Sequence, residues 1–91
     1  MNADQFAADL RRDGYKVFYG GIRPDTVNPD HSHTFDARIM VLGGEMTIMR
    51  DGKAELFRSG DICDVPRGTV HAEHVGPDGV AVLAGHREDA R

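Results

Sequence analysis

The chain has 91 residues, a formal net charge of -4, 40% hydrophobic and 29% charged residues. This composition is typical of a soluble globular protein with one small core, and it excludes a disordered chain. The acidic balance argues against nucleic acid as the main partner, because phosphate binding needs a basic patch that releases counterions.

Hydrophobicity and cysteine content predict a cytoplasmic protein without a membrane partner. The longest apolar run, residues 39–42, is far too short to span a bilayer. The N-terminus lacks the basic start and apolar region of a signal peptide. The single cysteine, Cys63, excludes an internal disulfide and fits a reducing compartment.

The first predicted element is a helix over residues 2–13. Asn2 and Gln5 have the spacing of a capping box, and Phe6 and Leu10 lie four residues apart on one face. Gly14 is a natural C-terminal stop for this helix.

Residues 14–86 follow an all-β pattern, in which short runs of Val, Ile, Met, Phe and Tyr are separated by Gly, Pro, Asp and Asn. Hairpins are predicted at Gly43-Gly44 and Asp51-Gly52, and a further turn at residues 76–79. No internal repeat or linker divides the chain, so we predict a single domain over residues 1–91. The predicted strands are 16–19, 22–27, 31–33, 38–42, 45–50, 54–57, 62–65, 70–75 and 80–85.

Two of these strands are apolar on both faces. Residues 39–42 include no polar side chain, and Met46, Ile48 and Met49 follow closely. A barrel strand that is covered on one side only should alternate between apolar and polar residues. The outer faces must therefore be covered, either by the N-terminal helix or by a second subunit, and at this chain length we favour a homodimer.

Two histidines, His31 and His33, stand one residue apart just before the first apolar run. On an extended strand, residues i and i+2 face the same side. The two imidazoles would therefore point toward one place, which is the usual start of a metal site on a β-scaffold.

A second stretch, residues 60–71, has the pattern G-x5-P-x-G-x2-H. Gly60 begins a turn into a strand, and Pro66 ends that strand because proline cannot donate a ladder hydrogen bond. Gly68 permits a reversal of the backbone that brings His71 back toward the sheet.

Together the two stretches resemble the two motifs of the cupin superfamily. The first cupin motif is G-x5-H-x-H-x3,4-E-x6-G, which is matched by His31, His33 and Gly44, with Ala37 at the glutamate position. The second is G-x5-P-x-G-x2-H-x3-N, in which Val75 replaces the asparagine. The resemblance covers roughly residues 26–83. Its matches in the second motif are Gly60, Pro66, Gly68 and His71.

This resemblance implies an all-β fold, namely a single cupin barrel (a double-stranded β-helix or jelly roll) behind the short N-terminal helix. It also implies that His71 meets His31 and His33 inside the barrel. Three imidazoles there would hold a divalent metal ion, with further coordination positions open to water or substrate. Imidazole suits Fe, Mn, Ni, Cu and Zn alike, so the metal is not identified.

Ala37 is the departure from the motif, because its side chain cannot replace the glutamate ligand. The site is then a three-histidine site, or a neighbouring carboxylate takes the vacant place, or metal affinity is lost. Glu73 lies two residues after His71 and shares its side of a strand. Asp36 would need a bulge after His33, and strand parity instead predicts that it pairs with Arg38. The predicted metal ligands are His31, His33, His71 and Glu73.

Three other polar or sulfur-containing side chains have simpler interpretations. His74 has the opposite parity to His71 and is predicted at the solvent or at an interface. His86, in the polar tail over residues 85–91, is predicted at the surface. Cys63 is expected to be a small buried residue of a strand, because nothing basic lies beside it in sequence to activate its thiol.

Two functions follow from these observations. The first is a divalent-metal-dependent enzyme of the oxygenase, isomerase or lyase type that acts on a small organic substrate. The second is a non-catalytic cupin that binds or senses a small ligand, with a structural metal or none. The sequence identifies no catalytic residue beyond the predicted metal ligands.

Overall fold

The computed structural model describes residues 1–88, and helix α1 spans Ala3–Arg12. Asn2 caps the helix, because its Oδ1 accepts a hydrogen bond from the backbone N–H of Gln5 at 2.8 Å. The predicted N-terminal helix is confirmed, one residue shorter at each end. No helix among residues 1–88 is long and apolar enough to cross a membrane.

Within residues 1–88, all remaining regular elements are strands, and every pairing between these strands is antiparallel. Two of them are long, with 15 and 17 residues, and they pair with each other along nearly their whole length. The strands are β1 (Lys16–Ile22), β2 (Val27–His31), β3 (Asp36–Arg50), β4 (Lys53–Arg58), β5 (Ile62–Val65) and β6 (His71–Arg87).

The long strands β3 and β6 each contribute to both walls of a jelly-roll barrel. In one wall, the first half of β3 lies between β5 and the second half of β6, and β1 completes the edge. In the other wall, the second half of β3 lies between β4 and the first half of β6, and β2 completes the edge. Their inward-facing side chains form the main core, which includes Val41, Met46, Ile48, Val75 and Val82. The predicted all-β barrel fold is confirmed.

The predicted hairpin at Gly43-Gly44 is wrong, because β3 continues through both residues. The register between β3 and β6 shifts at this point, so that the single residue Glu45 lies opposite residues 76–79 of β6. The turn predicted over 76–79 is thus a bulge within β6. Gly44 has φ 73°, and a Cβ there would lie 1.9 Å from the carbonyl oxygen of Gly79. These bulges bend the two strands from one wall into the other.

The second predicted hairpin is confirmed. Asp51 and Gly52 connect β3 to β4 and have φ values of 52° and 72°, the left-handed pair that a type I′ turn requires.

Helix α1 covers the outer face of the first wall. Phe6, Ala7 and Leu10 form a second buried cluster with Met40 of β3 and Leu83 of β6. The helix therefore explains why residues 39–42 are apolar on both faces. The homodimer, the favoured alternative from the sequence, stays a prediction.

Candidate metal centre

His31 is the last residue of β2 and faces the interior of the barrel. Its Nδ1 lies 2.8 Å from the carbonyl oxygen of Pro29. A carbonyl can only accept, so Nδ1 carries the proton and Nε2 keeps its lone pair. This backbone contact fixes the tautomer that a metal ion requires.

His71, the first residue of β6, is held in the same way. The residue is only 1% exposed, and its Nδ1 lies 2.9 Å from the carbonyl oxygen of Thr69. Upstream, Gly68 has φ 78° and its N–H donates to the carbonyl oxygen of His33 at 2.9 Å. This hydrogen bond connects the segment that leads into His71 to the backbone of the first sequence motif.

His33 lies in the connection between β2 and β3, so the predicted strand over residues 31–33 is wrong beyond His31. The three rings nevertheless converge. Their centroids are 4.9 Å apart for His31 and His33, 4.3 Å for His31 and His71, and 5.3 Å for His33 and His71. One nitrogen from each ring lies within 4.8 Å of the other two. We call these three residues the histidine cluster.

The surroundings of His33 favour its neutral imidazole. Burial lowers the pKa of His33, and the neighbouring His31 and His71 lower it further, while Glu73 acts in the opposite direction. The neutral form is the one that offers a lone pair to a metal ion. The donor set therefore fits a divalent metal.

Glu73 lies beside the histidine cluster on the same side of β6 as His71. Its Oε2 is 3.9 Å from Nε2 of His71, and its Oε1 accepts a hydrogen bond from Nδ2 of Asn28 at 2.7 Å. The prediction that Glu73 and His71 lie on the same side of one strand is therefore confirmed. Glu73 is a neighbour of the three-nitrogen group rather than a member of it.

Asp36, the alternative carboxylate, lies in a different cluster of charges. It pairs with Arg67 at 3.2 Å and with Arg87 at 3.4 Å, and it also accepts the backbone N–H of Arg67. The hydrogen bond from that N–H is the main reason that the pKa of Asp36 falls to about 2. The predicted pair of Asp36 with Arg38 is wrong, since Arg38 pairs with Asp64 at 2.8 Å.

Ala37 is 5% exposed and faces His86 across the β3–β6 pair. The prediction that His86 lies at the surface is wrong, because it is a half-buried residue of β6. Its ring stacks on Phe35 at 4.0 Å and meets the edge of Phe18 at 4.6 Å. Phe35 in turn stacks on His33 at 4.7 Å. His86 is therefore a histidine near the histidine cluster that the sequence did not predict there.

The two remaining candidates lie where the sequence predicts. His74 is exposed. Cys63 is buried in β5, and burial raises the pKa of its thiol to about 11. A thiol with this pKa is protonated near neutral pH, so Cys63 has no nucleophilic character there.

Comparison with known families identifies a match over most of the barrel. The sequence model described as "Cupin domain" matches residues 18–84 of the chain. No curated protein matches the chain at a significant level.

Several solved structures have a similar fold. A Rhizobium leguminosarum protein of unknown function has a TM-score of 0.76 and 19% identity, with 82% of this chain and 71% of that chain covered. A cupin-like protein from Thermotoga maritima has a TM-score of 0.67 and 24% identity, with coverage of 85% and 59%. KdgF from Halomonas sp. has a TM-score of 0.68 and 18% identity, with coverage of 85% and 72%. Likeness at these identities establishes the fold alone.

Proposed function

The chain belongs to the cupin domain family, and from this premise we propose that it binds one divalent metal ion through His31, His33 and His71 and acts on a small organic substrate. The observation that carries the proposal is the convergence of three ring nitrogens within 4.8 Å of one another. In two of the three rings, a backbone carbonyl holds Nδ1 and leaves Nε2 for the metal.

A site with three imidazole ligands leaves coordination positions open, which is the arrangement of catalytic rather than closed structural metal sites. Fe, Mn, Ni, Cu and Zn all accept such a donor set. When bound, the metal supplies Lewis acidity or oxygen activation, which fits chemistry of the oxygenase, isomerase or lyase type. The protein's part is to orient the three imidazoles.

We further propose that Glu73 takes the place that Ala37 leaves vacant among the ligands. Its support is the 3.9 Å distance to His71 and the hydrogen bond from Asn28, which orients the carboxylate beside the histidine cluster. A carboxylate there would also reduce the positive charge of the loaded site.

Metal content measured by mass spectrometry on untagged protein tests this site. The protein is reconstituted with Fe, Mn, Ni, Cu and Zn in turn. We expect about one equivalent of at least one metal in the wild type, and none in the His31→Ala/His71→Ala double variant. His74→Ala is the matched control, because it removes an exposed histidine of the same strand. Equally low metal in wild type and double variant contradicts the proposal.

A measurement of turnover distinguishes an enzyme from a protein that only binds a ligand. The alternative, a non-catalytic ligand-binding or sensor cupin, is favoured by the short chain, since 91 residues leave little loop for a substrate pocket. A panel of small organic acids, ketones and thiols is incubated with loaded protein and followed by NMR and oxygen consumption. Turnover that the double variant lacks supports an enzyme, whereas binding without turnover supports the alternative.

The predicted homodimer and cytoplasmic location belong to the same proposal. Val27 and Leu56 are 63% and 45% exposed on the wall that α1 does not cover, which supports a second copy as a partner. The buried free thiol of Cys63 supports a reducing compartment. Light scattering should give twice the 10.0 kDa chain mass at micromolar concentration, and a mass near 10.0 kDa contradicts the dimer.

A further inference from the structure

A column of rings leads from the histidine cluster to the rim of the barrel. Phe35 stacks on His33, His86 stacks on Phe35, and the edge of Phe18 meets His86. Phe18 is 40% exposed, so the column ends where the barrel opens to solvent. We call the region formed by Lys16, Phe18, Phe35 and His86 the barrel mouth.

Two nitrogen-bearing side chains of the barrel mouth lie side by side. Lys16 of β1 is the direct antiparallel partner of His86 in β6, so the two side chains share a face. Among residues 1–88, Lys16 has no ion pair and the ring nitrogens of His86 have no hydrogen bond. Both groups are therefore available to a ligand.

The ammonium group of Lys16 beside His86 favours an anion at the barrel mouth. Lys16 is cationic, and a divalent metal in the histidine cluster would add positive charge close by. Asp36, the nearest acidic residue in β3, is engaged by Arg67 and Arg87. The carboxylate beside the histidine cluster, Glu73, lies next to His71 rather than next to His86.

We infer that Lys16 and His86 form a carboxylate subsite at the barrel mouth, which takes a small organic acid whose second oxygen faces the metal. Ammonium and imidazole N–H groups are charge-assisted donors to a carboxylate. His33 and His86 both stack on Phe35, at 4.7 and 4.0 Å, so a molecule that reaches from the metal to His86 spans about two stacking distances, which is about the length of a para-substituted benzoate. Phe18 and Phe35 supply the apolar wall for its body. The inference rests on the proposed metal site and names the substrate class for it.

Two matched probes, 4-hydroxybenzoate and 4-hydroxybenzamide, test the subsite in zinc-loaded protein. They share a ring and a phenolic oxygen and differ in the charge at the other end. Titration calorimetry should give a dissociation constant about tenfold or more lower for the acid in the wild type, as expected for charged hydrogen bonds. In Lys16→Met and in His86→Phe, which keeps a stacked ring, this preference should fall below about threefold.

Arg11→Met is the control, because it removes a positive charge from the exposed side of α1 and should keep the preference for the acid. Zinc content is measured in every sample. A wild type that loads no zinc counts against the metal site itself. A loaded protein that binds neither probe, or whose preference for the acid survives in Lys16→Met and His86→Phe, overturns the subsite.

Discussion

Asn28 and Glu73 face each other across the β2–β6 pair, and Nδ2 of Asn28 donates to Oε1 of Glu73 at 2.7 Å. The second carboxylate oxygen lies 3.9 Å from Nε2 of His71. Because the side chain of Glu73 is only 13% exposed, its oxygens depend on these polar neighbours in place of water. The cross-strand pair thus holds the carboxyl group of Glu73 at the edge of the histidine cluster.

This arrangement predicts that Glu73→Gln weakens metal binding. The change keeps the size of the side chain and removes the charge, and the loss should be about tenfold or more in metal affinity, as for other groups that ligate or orient metal sites. Competition with a chromophoric chelator measures the affinity. Asp36→Asn is the control and should bind metal like the wild type, because Asp36 pairs with Arg67 and Arg87. Unchanged affinity in Glu73→Gln would refute the ligand role.

The bulge in β3 predicts that alanine substitutions of two neighbouring glycines differ strongly in their effect on stability. Gly44→Ala places a methyl group 1.9 Å from a backbone oxygen at a positive φ, so it should lower the free energy of unfolding by about 3 kcal/mol or more. Gly43→Ala meets nothing within 4 Å and should change it by less than about 1 kcal/mol. Urea unfolding measures both variants. Similar midpoints for the two would show that the bulge does not need Gly44.

The lowered pKa values of His33 and His86 predict a pH dependence for the metal-free protein. Burial is the main cause for both residues. As the pH falls below the unfolded value of about 6.5, the unfolded chain takes up protons that the folded protein does not bind until its lower pKa is reached. The free energy of unfolding should therefore decrease as the pH falls through this window.

Urea unfolding of metal-free protein at pH 7 and pH 5.5 tests this dependence. The His33→Asn/His86→Asn variant should show a smaller decrease than the wild type, and His74→Asn should behave like the wild type. A wild-type stability that is constant or higher at pH 5.5 contradicts the explanation. Asp36 contributes to the free energy of unfolding in a separate pH range. Its pKa is lowered to about 2, so its stabilising effect is lost only as the pH falls below about 3.8.

The motif spacing was sufficient to place the histidine cluster, because local contacts enforce the geometry. The hydrogen bond from Gly68 to the carbonyl of His33 joins the two motifs, and backbone oxygens within two residues hold His31 and His71. Strand alternation nevertheless does not apply to His33, because this residue lies beyond the end of β2. Strand parity succeeded for Glu73, because β6 is regular between residues 71 and 75.

Other features depend on long-range packing that the sequence does not display. A Gly-Gly pair favours positive φ, which both a hairpin and a bulge require, so the sequence alone does not distinguish a hairpin from the bulge at residues 43–44. Asp36 and Arg38 take partners far away in the sequence. The position of His86 was available from the sequence, because Val82 and Ala84 face the core and alternation continues to residue 86.

The most direct test of the metal centre is anomalous diffraction from crystals of the zinc-reconstituted protein. We expect one strong peak about 2.0–2.1 Å from a ring nitrogen of each of His31, His33 and His71. The nitrogen should be Nε2 in His31 and His71, whose Nδ1 atoms contact backbone carbonyls. A histidine cluster without a peak, in crystals that hold zinc elsewhere, would contradict the proposed metal site.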